Sequence, residues 1–128
     1  MRQLVYLSRA SRDFGSEDLA RIVSRARLNN RQLYVTGLLL FAAGQFLQAL
    51  EGDPSNVGLI FDKICADRRH DGISILRDRT VASREFGTWA MAANDDVEAN
   101  FGNKARALVS GATCPVVRAK FANFVDYV

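Results

Sequence analysis

Residues 35–42, Val-Thr-Gly-Leu-Leu-Leu-Phe-Ala, form a near-continuous apolar run of the kind found in a central strand buried on both faces. Ala43-Gly44 supplies a tight turn, and Phe46 to Glu51 reads as the second arm of a β-hairpin that Gly52 ends. A strand sealed on both sides requires further elements that can cover it, and the flanking sequence offers them.

Leu4 to Leu7 reads as a first strand, and Arg9 to Gly15 as a loop. Ser16 suits a helix N-cap, with Glu17 and Asp18 placing negative charge in the first turn. Leu19, Ile22, Val23 and Ala26 then follow helical spacing, and Asn29, Asn30 and Arg31 close the segment. Asp53-Pro54 repeats the logic as an N-cap followed by proline at the first helical position. Val57, Ile60, Phe61 and Ile64 give that second helix its stripe, and the polar stretch from Asp67 to Gly72 ends it. Ile73 to Leu76 and Trp89 to Ala93 are further strands.

The order β-α-β-β-α-β-β predicts an α+β fold, a ferredoxin-like sandwich with both helices over one sheet face. From about Asp95 the character changes. Leu108 and Val109, then Val117, Phe121, Phe124 and Val128, suit two short helices broken at Cys114-Pro115. The expected division is a core over residues 1–93 and a C-terminal helical cap on the opposite sheet face over residues 94–128.

The chain has 128 residues, enough for one core. Its longest apolar run, Leu38 to Ala43, is far below the ~20 residues of a membrane span, and its start, Met1-Arg2-Gln3-Leu4, lacks the long apolar stretch expected of a signal peptide. A cytoplasmic location is expected, with no membrane partner. One histidine and two distant cysteines, Cys65 and Cys114, give no paired metal-ligand spacing, and a cytosolic core of this size needs no disulfide. The net charge of +3 divides evenly, +2 over residues 1–64 and +1 over residues 65–128. Without a basic tail or stripe, direct nucleic-acid binding is not expected.

The informative residues break their own local pattern. At 100° per residue Asn30 falls within the apolar arc of its helix, with Asn29 at the edge. Period-two alternation puts Gln48 on one face with Phe46 and Leu50, and Tyr6 on one face with Leu4 and Ser8. A buried amide without a partner costs about 1–3 kcal/mol, so each must find one. Backbone groups at element ends could serve, as they often do for asparagine after a helix, and Tyr6 could be an ordinary core aromatic. A single shared ligand, flat and apolar in body with donors and acceptors along one edge, is the more economical account.

In their order and spacing these residues make the chain resemble the BLUF domain, the family of blue-light sensors using FAD. The resemblance covers about residues 3–93. It rests on Tyr6-Leu7-Ser8, Asn29-Asn30, Thr36-Gly37, Phe46-Leu47-Gln48-Ala49-Leu50-Glu51-Gly52, Asp67-Arg68-Arg69-His70 and Phe86-Gly87-Thr88-Trp89-Ala90-Met91. Tyr34-Val35 departs from the Gly-Ile of many members, and Lys63 from their usual basic residue.

The resemblance implies FAD between the two helices. Asn30 and Asn29 would bond the carbonyl and N3 edge of the ring, and Gln48 would bridge Tyr6 and the flavin N5/O4 edge. Ile22 would join the binding residues, while Lys63, Arg69 and His70 match positions near the C2 carbonyl or the ribityl-phosphate side. Tyr6 would donate an electron and proton under light, and Gln48 would reorient. Trp89 and Met91 would relay the change. No catalytic nucleophile or metal is needed, so the expectation is a sensor rather than an enzyme, a short family member without an attached effector. Output would pass through a downstream protein or self-association as a homo-oligomer, with Phe121 and Phe124 as candidate contacts.

Two rivals predict a colourless protein. An acylphosphatase-like hydrolase would use Arg9 or Arg12 in the first loop, but the glycine-rich cradle is missing. A single-stranded RNA binder would expose alternating aromatics on its central strands, which these strands lack.

Overall fold

A computed structural model describes residues 1–42 and 44–85. The elements run β1 (Arg2–Ala10), α1 (Ser16–Gln32), β2 (Thr36–Ala42), β3 (Gln45–Gly52), α2 (Pro54–Ala66) and β4 (His70–Thr80). The expected strand at Trp89 to Ala93 and the C-terminal helices lie outside the described residues.

The four strands form one sheet in the order β2-β3-β1-β4, and every neighbouring pair is antiparallel. β1 and β2 therefore run the same way with β3 between them, and β3 and β4 do so around β1. These interleaved split β-α-β units make the fold α+β and ferredoxin-like. β2 is apolar on both faces, and among the described residues it has one neighbour, β3.

Several boundaries differ from the sequence reading. β1 extends to Ala10, so Arg9 is a strand residue, and its exposed side chain faces Asp71 at 3.6 Å. Gly15, not Ser16, is the N-cap of α1. Its extended backbone lets its N–H donate to Asp18 Oδ2 at 2.9 Å, which anchors the first turn. α2 starts as its sequence suggests, with Asp53 Oδ2 accepting from the Ser55 and Asn56 amides at 3.1 and 3.3 Å and Pro54 next in line. β4 begins at His70, inside the polar stretch read as a helix end, and runs to Thr80. It is largely exposed, so its sequence carries no apolar alternation to mark it.

The helices pack on one sheet face. Leu19 and Val23 of α1 and Val57 and Ile60 of α2 join Leu4, Leu39, Phe46 and Leu50 of the sheet in one buried cluster. Full burial of such a side chain contributes about 1.5–3 kcal/mol. Asn56 Nδ2 donates to the Leu33 carbonyl at 3.2 Å, tying the start of α2 to the end of α1. Phe14, Phe41 and Phe46 meet at centroid distances of 4.9–5.3 Å and close one end of this layer. At Gly37 in β2 a Cβ would fall 1.9 Å from the Ala49 carbonyl oxygen, so the pairing of β2 with β3 requires a residue without one. On the face turned away from this cluster, Val5, Leu38, Leu40, Leu47 and Ala49 are also buried. Among the described residues no helix is long and apolar enough to cross a membrane.

Candidate functional site

Alternation along β1 and β3 turns Tyr6 and Gln48 toward the helices, and the ladder places the two directly opposite each other. Leu39 of β2 stands opposite Gln48 on its other side, so Leu39, Gln48 and Tyr6 form one row across the sheet. Gln48 is 4 % exposed and Tyr6 is buried. The Tyr6 hydroxyl donates to Gln48 Oε1. Burial pushes the Tyr6 phenol well above its ordinary pKa, with the neighbouring Cys65 and Asp67 adding to the effect, so its hydroxyl stays protonated.

Above this row, between the two helices, lies a cavity of about 410 Å³. Its floor is Tyr6, Leu39, Phe46 and Gln48. One wall is α1, through Ile22, Arg25, Ala26, Asn29 and Asn30, and the other is α2, through Ile60, Lys63, Ile64 and Ala66. Asp67, Arg69 and His70 close one end. The volume falls within the range of about 300–1,000 Å³ typical of small-molecule sites. The lining is mostly apolar with a few convergent amides, which suits a flat aromatic ligand with a polar edge.

Asn30 is 1 % exposed because it sits on the apolar stripe of α1, one turn beyond Ala26. Its backbone carbonyl also accepts from the Leu33 and Val35 amides at 3.2 and 2.8 Å, which fixes the helix end that presents its side chain. At the far end Arg69 forks onto Asp67, with Nε at 2.9 Å from Oδ1 and Nη2 at 2.7 Å from Oδ2. That hydrogen bond holds the Asp67 carboxyl below its usual range. His70 bridges elements: Nε2 donates to the Ile64 carbonyl at 2.5 Å, and Nδ1 lies 2.9 Å from Ser8 Oγ. The carbonyl can only accept, so Nε2 carries a hydrogen. The His70 ring also lies tilted beside Tyr6 and edge-to-face with Phe46, at centroid distances of 6.4 and 6.1 Å.

Eight residues singled out in the sequence thus surround one space: Tyr6, Ile22, Asn29, Asn30, Gln48, Lys63, Arg69 and His70. Trp89 and Met91 lie outside the described residues. The sequence reading did not select Arg25, Asp67 or Ser8 for the site. Arg25 lies one turn before Asn29 on the same helix and could have been found by that spacing. Asp67 precedes Arg69 by two residues, a spacing that lets an aspartate accept from the backbone N–H ahead of it, as it does here at 2.9 Å.

Residues 1–92 match the family model BLUF, described as sensors of blue-light using FAD. The chain is 38% identical over 88 residues, 69% of its own length, to the blue light- and temperature-regulated antirepressor BluF of Escherichia coli K12, covering 22% of that protein. It is 34% identical over 93 residues to the photoactivated adenylate cyclase subunit alpha of Euglena gracilis, covering 71% of this chain and 9% of that one. The chain thus spans about a tenth of the length of such cyclase relatives. Among solved structures, the ground state of BlsA aligns with a TM-score of 0.69 at 31% identity, covering 80% of this chain and 71% of that one. The chain belongs to the BLUF family, the sensors of blue-light using FAD.

Proposed function

We propose that the chain holds FAD non-covalently in the cavity between α1 and α2, and that light changes the hydrogen bonding of Tyr6 and Gln48 beneath it. The observation that carries this reading is the Tyr6 hydroxyl donating to Gln48 Oε1 on the floor of that cavity, with Asn30 on the wall. Bound FAD supplies the blue absorption and, once excited, a stronger oxidant. Asn30 and Asn29 present the amides for the polar ring edge, and Ile22 and Leu39 enclose its apolar body. Lys63, Arg69 and His70 face the C2 carbonyl or ribityl-phosphate side. Arg69 acts there while oriented by Asp67.

Tyr6 keeps its proton at Oη, and with FAD bound and excited it would be the group to supply an electron and that proton to the flavin and to take both back in the return. Gln48 responds because an amide has a donor end and an acceptor end that can exchange roles. What persists is a different hydrogen-bond pattern, which biases the packing of β3. No nucleophile or metal takes part, and the chain acts as a switch rather than an enzyme.

The output reaches an unidentified downstream protein or a second copy of the chain, in the cytoplasm, through Trp89 and Met91 and a C-terminal helical cap over residues 94–128. Supporting the cap, Val5, Leu38, Leu40, Leu47 and Ala49 are buried on the sheet face away from the two helices. The names of the relatives, a blue light-regulated antirepressor and photoactivated cyclases, support a switching role. The hydrolase reading loses Arg9, which lies on β1 beside Asp71, and keeps only Arg12 in a first loop that has no glycine-rich cradle for a phosphate.

Absorption spectra of the FAD-loaded protein before and after blue light test the reading. A flavin band that moves red and returns in darkness supports it. A colourless protein, or a flavin band that light leaves in place, overturns it.

A further inference from the structure

On the sheet face opposite the cavity lies a polar network that the flavin chemistry does not use. Glu51 is the next-to-last residue of β3, the strand that carries Gln48, and it is 0 % exposed. Its carboxylate accepts from Gln3 Nε2 at 2.9 Å and from the Glu85 backbone amide at 2.9 and 3.0 Å. Thr36, Glu51, Gln3 and Arg79 stand in one register row across all four strands. Arg79 closes that row, donating to Gln3 Oε1 at 2.9 Å and to Glu85 Oε1 at 2.9 Å.

Arg84 makes the second half of the network. Its Nη1 donates to Thr36 Oγ1 at 2.6 Å and to the Glu51 carbonyl at 2.8 Å, and its Nη2 donates to the Tyr34 carbonyl at 2.6 Å. One guanidinium therefore holds the start of β2, the end of β3 and the link that follows α1. That link is itself fixed to Asn30, whose carbonyl accepts from the Val35 amide at 2.8 Å. The segment after β4 is thus fastened to both elements that present amides to the cavity. Gln48 is three residues from Glu51, about 10 Å along an extended strand. A planar guanidinium bonded to several acceptors is held in one geometry, whereas a single exposed ion pair contributes little.

We infer that Arg84 and Glu51 are positioning residues for the light response, fastening the stretch after β4 to the strand of Gln48 so that a shift of β3 moves residues 86 and beyond. This inference rests on the proposed photochemistry of Tyr6 and Gln48.

Hydrogen–deuterium exchange of the FAD-loaded full chain, in darkness and under blue light, tests it alongside the absorption spectrum. The wild type is expected to show a light-dependent change in exchange within residues 86–128. R84Q and R84K keep the red shift and lose that change, since neither replacement reaches all three acceptors. E51Q preserves size and shape, replaces an acceptor oxygen with an amide nitrogen facing the Glu85 N–H, and also weakens the change. If R84Q does not retain flavin, E51Q decides. Variants that keep both the red shift and the full exchange difference overturn the inference, as does a wild type that shifts red with no exchange difference past residue 85. A wild type without any red shift overturns the underlying photochemical reading instead, so the two failures are distinct.

Discussion

Tyr6 and Gln48 stand directly opposite each other in the β1–β3 ladder, and the Tyr6 hydroxyl donates to the Gln48 side-chain oxygen. Opposed residues in neighbouring strands have closely spaced Cβ atoms, so ladder register alone brings a phenol and an amide together. Both are buried, and the apolar surroundings strengthen a bond that water would otherwise compete for.

Tyr6→Phe removes the hydroxyl and nothing else of the ring. The substitution withdraws a donor from a buried amide oxygen, a loss of about 1–3 kcal/mol that thermal melting would register. FAD is expected to remain bound, because the cavity walls are unchanged. The normal red shift under blue light is expected to disappear, and an unchanged photocycle would exclude Tyr6 as the donor.

Asn30→Ala shortens the buried amide on the wall of α1 while leaving its backbone carbonyl in place to hold the helix end. If Asn30 bonds the ring edge as proposed, its loss should weaken FAD binding about tenfold, as a hydrogen bond worth about 1.4 kcal/mol predicts. Titration by flavin fluorescence quenching measures this. An unaltered dissociation constant would remove Asn30 from the binding set.

Tyr34 occupies left-handed backbone, with φ of 54°, directly after α1, and its side chain is 80 % exposed. A Cβ in that conformation crowds the following carbonyl, while the exposed ring has little packing to lose. Tyr34→Gly should therefore stabilise the fold by about 1 kcal/mol, seen as a higher melting temperature. A lower melting temperature would show that the ring makes contacts of its own.

The Asp67 carboxyl is held below its ordinary value of 3.8 by the hydrogen bond from Arg69. A depressed carboxylate contributes stability that is fully present above the unfolded value and lost as the pH falls through the folded one. The stability difference between wild type and Asp67→Asn should accordingly be constant near neutrality and close only in acid, below the ordinary carboxylate range. A difference that already changes near neutral pH would point to another titrating group.

Much of this arrangement was legible in the chain itself, for identifiable reasons. Asn30 and Gln48 stood out because the stripes around them were otherwise apolar, and periodicity converts that interruption into a direction. β4 was harder to see. Its exposed residues give no alternation, so His70 read as a helix end although hydrogen bonds to Ser8 and Ile64 hold it at the start of a strand. Capping rules favour a side-chain oxygen and so point to Ser16, whereas here Asp18 accepts from the Gly15 amide. The network around Glu51 has no local signature, because register brings Gln3, Thr36 and Arg79 beside it from three other strands and hydrogen bonds from the segment after β4 add Arg84 and Glu85. Gln3 and Glu51 did carry a signal, since each places a polar group on a strand whose neighbours are buried.

The account turns on Gln48 converting light into a changed hydrogen-bond pattern, and the light-minus-dark absorption spectrum of FAD-loaded Gln48→Leu addresses it most directly. Leucine is similar in size but offers neither donor nor acceptor, so the variant should bind flavin, absorb blue light and show no red shift. A red shift of wild-type size in that variant would contradict the account.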